Sequence, residues 1–584
     1  MGMPAKPATG RKLPALAATT TALALALAGC GSGSTAGTGS SPTGSATGSA
    51  TGAVQQGGVL KIGSINYIDS VNPFNYIESA GLQAQLMIFP TLVQYKPGAE
   101  EIEGDLADSW QTSPDGKVLT FALKTTGKWS DGKPITADDA AWTLNTTIKF
   151  KDDATAVAAG SVNHLVKAEA PDPAKLVLTY DAPVANALPQ LQALVMLPRH
   201  VWEPFAAGDG KQLKTFAPQE KLPVVTGGPY TLEKWAKKGT SVLKADPNFY
   251  GPKSHVDAVA YVYYTNEDAM LADLKGGKID WAEEVPITAA TKLAQDKTLV
   301  VSEIPGAETT NITWNNNPRK KKNLELLDKA VKRALSQTVD RDRIIEVVFG
   351  GHANTVESLV GNIAGKWENK NLGPLKRDVA AANTALDQLG YAKGADGIRV
   401  APAKGGQPAH PMAYQVIVPD SLNFNGKREF EIVRDNFAEA GVKLTLQAGG
   451  DSTAAYALET GDDCDAEKST GYTDFDLAMW DWVGYKDPDF QLSVVTKGQW
   501  CSWSDTGYDN PAYDKLYDQQ ATLIDEAARK TMVDQMQQII YDDVIYTQLV
   551  NMNAIESHRV GWGGFYPELG AYSKLFYTAV GKTS

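Results

Sequence analysis

Cysteine is nearly absent, with three in 584 residues, at positions 30, 464 and 501. So few exclude a disulfide-framework fold, and the lack of any Cys-x-x-Cys excludes a thiolate zinc module. Histidine is as sparse. His164, His200, His255, His352, His410 and His558 stand far apart, and no His-Glu-x-x-His occurs, so no helical metal pair can form. Positive charge is in deficit, 55 Lys and Arg against 68 Asp and Glu, for a formal net charge of −13. A chain this acidic is a poor nucleic-acid binder and gains nothing from anionic lipid. Beyond residue 30 no apolar run reaches membrane-spanning length. Gly581-Lys582-Thr583 has the letters that end a phosphate loop, but Phe576 occupies the place of that loop's first glycine. The carboxylate pairs Asp138-Asp139 and Asp462-Asp463 are neighbours in sequence and need not face one another, as acid–base chemistry across a cleft would require. No metal, cofactor or catalytic set is expected.

What is present starts with an ordered leader. Lys6, Arg11 and Lys12 form a basic start, a mostly apolar run follows from Leu13 to Ala28, and Leu27-Ala28-Gly29-Cys30 closes it. That order is a secretory signal over residues 1–29, and its close looks like a bacterial lipobox. Cys30 is then expected to carry a diacylglyceryl group and to become the first residue of the mature chain. Residues 30–56 are almost wholly Gly, Ser, Thr and Ala without a charge, too little apolar surface to offset ordering entropy, and read as a flexible tether. At about 0.8 kcal/mol per buried methylene, two or more acyl chains hold such a chain stably at a membrane. Removing residues 1–29, with three basic and no acidic residues, leaves a net charge of −16. Cys464 and Cys501 remain, in a compartment that permits disulfides, and are expected to pair.

After the tether about 525 residues remain, enough for two to four domains. Gly58 to Gly63 reads as an opening strand, residues 83–95 as a helix end passing into a strand, and Val118 to Leu123 as a hairpin strand. Leu324 to Phe349 has helical apolar spacing. Glu429 to Ala440 puts Phe430, Val433, Phe437 and Ala440 on one face, with Gly441 at the C-cap and Val442 to Leu446 alternating as a strand.

Several ordered blocks then carry a family likeness. They are Leu106-Ala107-Asp108-Ser109-Trp110, Ser113-Pro114-Asp115-Gly116, Trp129-Ser130-Asp131-Gly132-Lys133-Pro134 with Ala137-Asp138-Asp139, Gly227-Gly228-Pro229-Tyr230, Asp246-Pro247-Asn248-Phe249-Tyr250-Gly251 and Tyr508-Asp509-Asn510-Pro511-Ala512-Tyr513. From about residue 57 onward the chain resembles the family 5, peptide/nickel-type, extracellular solute-binding proteins of ABC importers. The resemblance implies an α/β fold of the periplasmic-binding-protein type (class II, cluster C), with two lobes joined by a hinge and an extra inserted domain. It divides the chain into domain I at 57–96, 221–310 and 546–584, domain II at 97–220, and domain III at 311–545. A solute would be enclosed between I and III by hinge closure. The blocks themselves have structural jobs: Trp129 to Gly132 suits a tight turn with a packing anchor, and Ala137 to Asp139 opens a helix with acids in its first turn.

The binding segment expected is Phe475 to Phe490, a strand entering a loop. Trp480, Trp482 and Tyr485 offer stacking surface, Gly484 turns the chain, and Asp487 offers a carboxylate. In the peptide-binding branch of the family, the matching stretch supplies a carboxylate for the peptide α-ammonium group. Here Trp482 and Gly484 match, but Tyr485 stands at the carboxylate position and Asp487 follows two residues later. Asn75 and Tyr76, after the first strand, and Trp314 and Asn316, near the crossover, are further candidates. Arg319-Lys320-Lys321-Lys322 reads as a solvated face. The expectation is a monomeric, lipid-anchored receptor on the extracytoplasmic face of a bacterial membrane, taking an oligopeptide to ABC permease subunits. A sugar or other non-peptide solute, or a tethered cell-wall hydrolase, are the alternatives.

Overall fold

The computed structural model describes residues 53–419, 426–450, 453–454, 456–460, 464–465, 474–566 and 575–583. Cys30, the signal segment and nearly all of the tether lie outside the described residues.

Strand β1 (Val59–Ser64) opens the fold with Leu60 and Ile62 buried, and helix α1 (Ser79–Ile88) follows it. The region after α1 builds a separate antiparallel sheet from β2 (Ala107–Thr112), β3 (Val118–Leu123), β4 (Leu165–Asp172) and β5 (Lys175–Tyr180), in the order β2-β3-β5-β4. Helix α2 (Ala137–Phe150) packs against this sheet. Thr136 and Asp139 form a reciprocal capping box at its start, satisfying two N–H groups that no helical carbonyl can reach. The buried Trp129 indole N–H donates to the same Asp139 at 3.4 Å, so the turn and the helix hold each other.

The chain then returns to the first sheet with β6 (Tyr230–Lys234), β7 (Thr240–Ala245), β8 (Ala258–Tyr263) and β9 (Trp281–Ala282). A long strand, β10 (Leu299–Trp314), leads into the second half of the molecule. That half carries α3 (Lys329–Ser336), α4 (Arg341–Val347), β11 (Ala413–Pro419), α5 (Gly426–Glu439), β12 (Lys443–Gly449) and β13 (Leu477–Val483). Helices α6 (Pro511–Ala521) and α7 (Glu526–Asp542) complete it, and β14 (Tyr546–Arg559) runs back. One sheet threads both halves in the order β12-β11-β13-β10-β14-β9-β1-β8-β7-β6. Among the described strands only β10 and β14 belong to both ends of it. At one end β10 pairs with β13 over Glu308–Trp314, and at the other β14 pairs with β9 at Ser557 and His558.

The molecule is therefore two lobes joined by an antiparallel pair of strands. Their register breaks where they cross: Pro305 pairs with Asn553 and Thr309 with Asn551, leaving Gly306 to Glu308 as a bulge opposite Met552. Gly306 is required there, because a Cβ would lie 2.0 Å from the Met552 carbonyl oxygen. Asn551 steadies the bulge by donating to the Gly306 and Glu308 carbonyls at 3.1 and 2.8 Å. One core runs through the β1 lobe and the inserted sheet, uniting Leu60, Ile62, Phe89, Phe121, Leu144 and Tyr230. The second lobe has cores of its own, one under α5 and one under α7.

Two details differ from the sequence reading. The helical run from Leu324 is a 3₁₀ turn (Leu324–Leu327), then α3, then α4, because the Asp340 side chain caps a new start by accepting from the Arg343 N–H. Lys320 is not on a solvated face. It is 5 % exposed, donates to the Phe475 carbonyl and pairs with Asp474 and Asp476, which ties the crossover exit to the foot of β13. Cys464 and Cys501 are joined, with Cα atoms 5.3 Å apart. No helix of the described residues is long and apolar enough to cross a membrane.

Candidate functional site

A cavity of about 940 Å³ lies where the two lobes and the inserted region meet. The bulge residues Gly306, Ala307 and Glu308 form part of its wall, so the crossover is also the back of the cleft. The β1 lobe contributes Tyr76, Glu78, Trp281, Glu283, Glu284 and Glu556; the second lobe contributes Tyr485, Asp487, Asp489, Phe490, Trp503 and Tyr517. Asn186 and Gln190 of the inserted region close one side.

Tyr76 reaches the cavity from a loop whose shape is set by its buried neighbour Asn72. The Asn72 amide donates to the Leu213 and Phe216 carbonyls, both at 2.7 Å, while its oxygen accepts from the Phe74 N–H. Burial, then the nearby Tyr485, push the Tyr76 hydroxyl up to about 12. Tyr485 comes from the other lobe. It leaves β13 through Gly484, whose N–H donates to the Ala307 carbonyl at 2.6 Å and where a Cβ would meet Ile363 at 2.7 Å. Only glycine lets the chain turn that close to the crossover, and the turn delivers Tyr485, Lys486 and Asp487 to the cavity wall.

The two tryptophans of β13 do not reach it. Strand alternation puts Trp480 and Trp482 on one face, and that face is covered by the second lobe's own core. Trp482 is 6 % exposed, its indole N–H donates to Asp505 at 3.1 Å, and its ring meets Phe490 edge-on. Tyr546 donates to the other Asp505 oxygen, and burial pushes this carboxyl up to about 7. The stacking surface expected from Trp480 and Trp482 is thus core packing. Trp314 is likewise fully buried, donating to the Thr547 hydroxyl at 2.9 Å, and the Asn316 amide donates to the Trp314 carbonyl. Asn75 sits exposed at the turn and Gly484 shapes the backbone; neither lines the cavity.

Asp487 lines the wall but its charge is already engaged. Arg529 of α7 holds both carboxylate oxygens, at 2.6 and 2.9 Å, in a bidentate fork, and rests on the face of Trp367. The two side chains are 11 % and 3 % exposed. Asp487 also caps the following turn by accepting from the Asp489 N–H, and the inserted region touches it through Asn186.

The sequence reading missed the opposite wall. Trp281 pairs with His558 and Ala282 with Ser557, so Glu283 falls one step further along β9, level with Glu556. The Glu283 carboxylate accepts from the Tyr261 and Tyr577 hydroxyls, each at 3.3 Å. Glu284 accepts from the Asn66 amide at 2.8 Å. Burial, then Glu284, raise the Glu283 carboxyl to about 8; burial, then Glu283, hold Glu556 well above the usual carboxylate range. Among the described lining residues Lys486 is the single cation, and its ammonium donates to the Ala99 carbonyl and lies over the Tyr95 ring. The only sequence signal was the adjacent pair Glu283-Glu284 after a tryptophan; nothing local to Glu556 points to its partner.

The family model for bacterial extracellular solute-binding proteins, family 5 middle region, matches residues 101–501. A Brucella ovis protein named as an ABC transporter peptide-binding protein is 27 % identical over 336 residues, covering 58 % of this chain and 60 % of that protein. The match thus spans well under two thirds of that relative's length. An Escherichia coli protein named as the D,D-dipeptide-binding periplasmic protein DdpA is 23 % identical over 510 residues, covering 85 % of this chain and 89 % of that protein. In fold, the chain is similar to the Helicobacter pylori periplasmic binding protein DppA solved with the peptide STSA. The TM-score is 0.68 at 19 % identity, over 91 % of this chain and 99 % of that one.

Proposed function

Since the chain belongs to the family 5 bacterial extracellular solute-binding proteins, we propose that it is the extracytoplasmic receptor of an ABC importer, capturing an oligopeptide between its lobes and presenting it to the permease. One observation carries the reading: a cavity of about 940 Å³ whose back wall is the pair of strands joining the lobes. A solute that touches Tyr76 on one side and Tyr485 on the other gains contacts only when the lobes approach, which is how a hinge is driven shut. The inserted sheet shares its core with the β1 lobe, so the moving body is the second lobe. In this reading domain I is 57–96, 221–310 and 546–584, domain II 97–220 and domain III 311–545. The family is one of receptors rather than enzymes, and a lipid anchor at Cys30 would hold this one at the outer membrane face.

The engaged state of Asp487 favours a second reading of the solute. A carboxylate locked to Arg529 is not available to a free peptide α-ammonium group, which leaves room for an amino-blocked peptide or a non-peptide at that wall. Incubating the protein with a mixture of peptides and metabolites, then identifying the retained compound by mass spectrometry, decides between these. A retained, unaltered peptide supports the first reading, a retained sugar or other metabolite supports the second, and a chemically altered compound overturns the receptor role.

A further inference from the structure

We propose that the cavity takes a solute bearing a positively charged nitrogen, an ammonium or guanidinium group, and that Glu283, Glu284 and Glu556 of the β1 lobe receive it. This rests on the receptor reading above and names the charge of what that receptor holds.

Charge and shape point the same way. Among the described residues seven carboxylates line the cavity: Glu78, Glu283, Glu284, Glu308, Asp487, Asp489 and Glu556. In the second lobe Asp487 is neutralised by Arg529, whereas among the described residues no cationic side chain pairs with Glu283, Glu284 or Glu556. Glu556 is only 8 % exposed, yet it fronts the cavity beside Trp281. Burying Glu283 and Glu556 side by side without a counter-charge makes ionising either one costly, and both carboxyls are held above the usual carboxylate range. Within the lobe, that cost has no evident return. A cationic group entering the cavity offsets it, because each carboxylate then gains a charge-assisted hydrogen bond in a site screened from water.

The rest of the cavity fits the same solute. Tyr76, Tyr485, Phe490 and Trp503 give aromatic surface in the same cavity, suited to the carbon chain and the face of a cation alike. Lys486, the one lining cation among the described residues, is turned toward the inserted region by its hydrogen bond to Ala99. The acidic wall lies on the β1 lobe, across the cavity from Tyr485 of the second lobe.

Four probes test it by calorimetric titration. Trialanine amide carries only an α-ammonium, N-acetyl-trilysine amide only side-chain cations, N-acetyl-trialanine amide no charge, and spermidine is a cation without a peptide. The expected result is binding of at least one cationic probe, with the uncharged peptide weaker by about tenfold to a hundredfold. The tighter of the first two says whether a terminus or a side chain supplies the cation. Glu283→Gln keeps an oxygen for the two tyrosine hydroxyls and Glu284→Gln changes an exposed residue, so both should fold, as thermal melts will verify. Each should weaken the cationic probe by about tenfold or more without touching the uncharged one. Equal affinity for charged and uncharged peptides, or cation binding unchanged in both variants, overturns this inference and leaves the receptor standing. Spermidine binding without peptide binding keeps the inference and overturns the peptide reading. Failure of all four probes overturns both.

Discussion

Glu283 is held by two tyrosine hydroxyls beside Glu284 and Glu556, and burial more than these neighbours sets its titration. Its carboxyl rises from an ordinary 4.5 to about 8, chiefly through burial. A folded-state pKa above the unfolded one favours the folded protein at low pH, and that contribution is lost as pH rises from about 4.5 through about 8. The unliganded protein should therefore melt lower at about pH 9 than this site would permit at about pH 5, and Glu283→Gln should flatten that difference. A bound cation reverses the preference. It favours the ionised carboxylate, so cation binding should release protons near neutral pH and tighten as pH rises toward about 8. The groups facing this carboxyl are Glu284, Glu556, Tyr261 and Tyr577, and burial raises both of those glutamates as well. Trp482 belongs to the opposite class. Trp482→Ala removes a core ring and strands Asp505, and should cost about 3–5 kcal/mol of stability while leaving the affinity of the folded fraction intact. Thermal melts beside titrations separate the two; a stable variant with weakened solute binding would contradict the core assignment.

At the scale of elements, strands and helices with strong local patterns were legible in the sequence. β3 alternates over the residues read as a strand, α2 begins at Ala137 with Asp138 and Asp139 in its first turn as read, and α5 and β12 follow the apolar spacing around Gly441. The segment around β13 was also legible as part of the site, but not which of its side chains face the cleft. Alternation puts Trp480 and Trp482 together; which face stays open depends on α7 and the residues before it, packed from far along the chain. The same holds for Asp487, whose partner Arg529 sits on α7. The acidic wall was illegible because it needs β9 and β14 to meet, a pairing that sequence alone does not record. The Asp487–Arg529 pair has its own test. Arg529→Ala leaves a buried carboxylate uncompensated and should cost about 3–5 kcal/mol, whereas the double variant with Asp487→Asn should recover part of that loss. Chemical denaturation of the three variants gives the answer, and additive losses would show that the pair is not coupled.

At the scale of the whole molecule, the anchor proposed at Cys30 and the hinge between the lobes are tested separately. Cys30→Ser should leave the protein unprocessed or released from the membrane fraction, and a variant still processed and anchored like the wild type would remove the anchor. The inserted region already touches the second lobe, through the Ala185 N–H donating to the Ala521 carbonyl at 2.8 Å and the Lys366 N–H to Glu100 at 3.1 Å, contacts that belong to a closed arrangement. Opening must break them and widen the cleft about the bulge at Gly306 to Glu308. The most direct test of the central claim is small-angle scattering, with amide exchange, on the solute-free protein before and after adding the compound it retains. The expected result is a smaller radius of gyration with slowed exchange at Gly306 to Glu308 and around Tyr485. An unchanged radius and unchanged exchange at saturating solute would contradict capture by hinge closure.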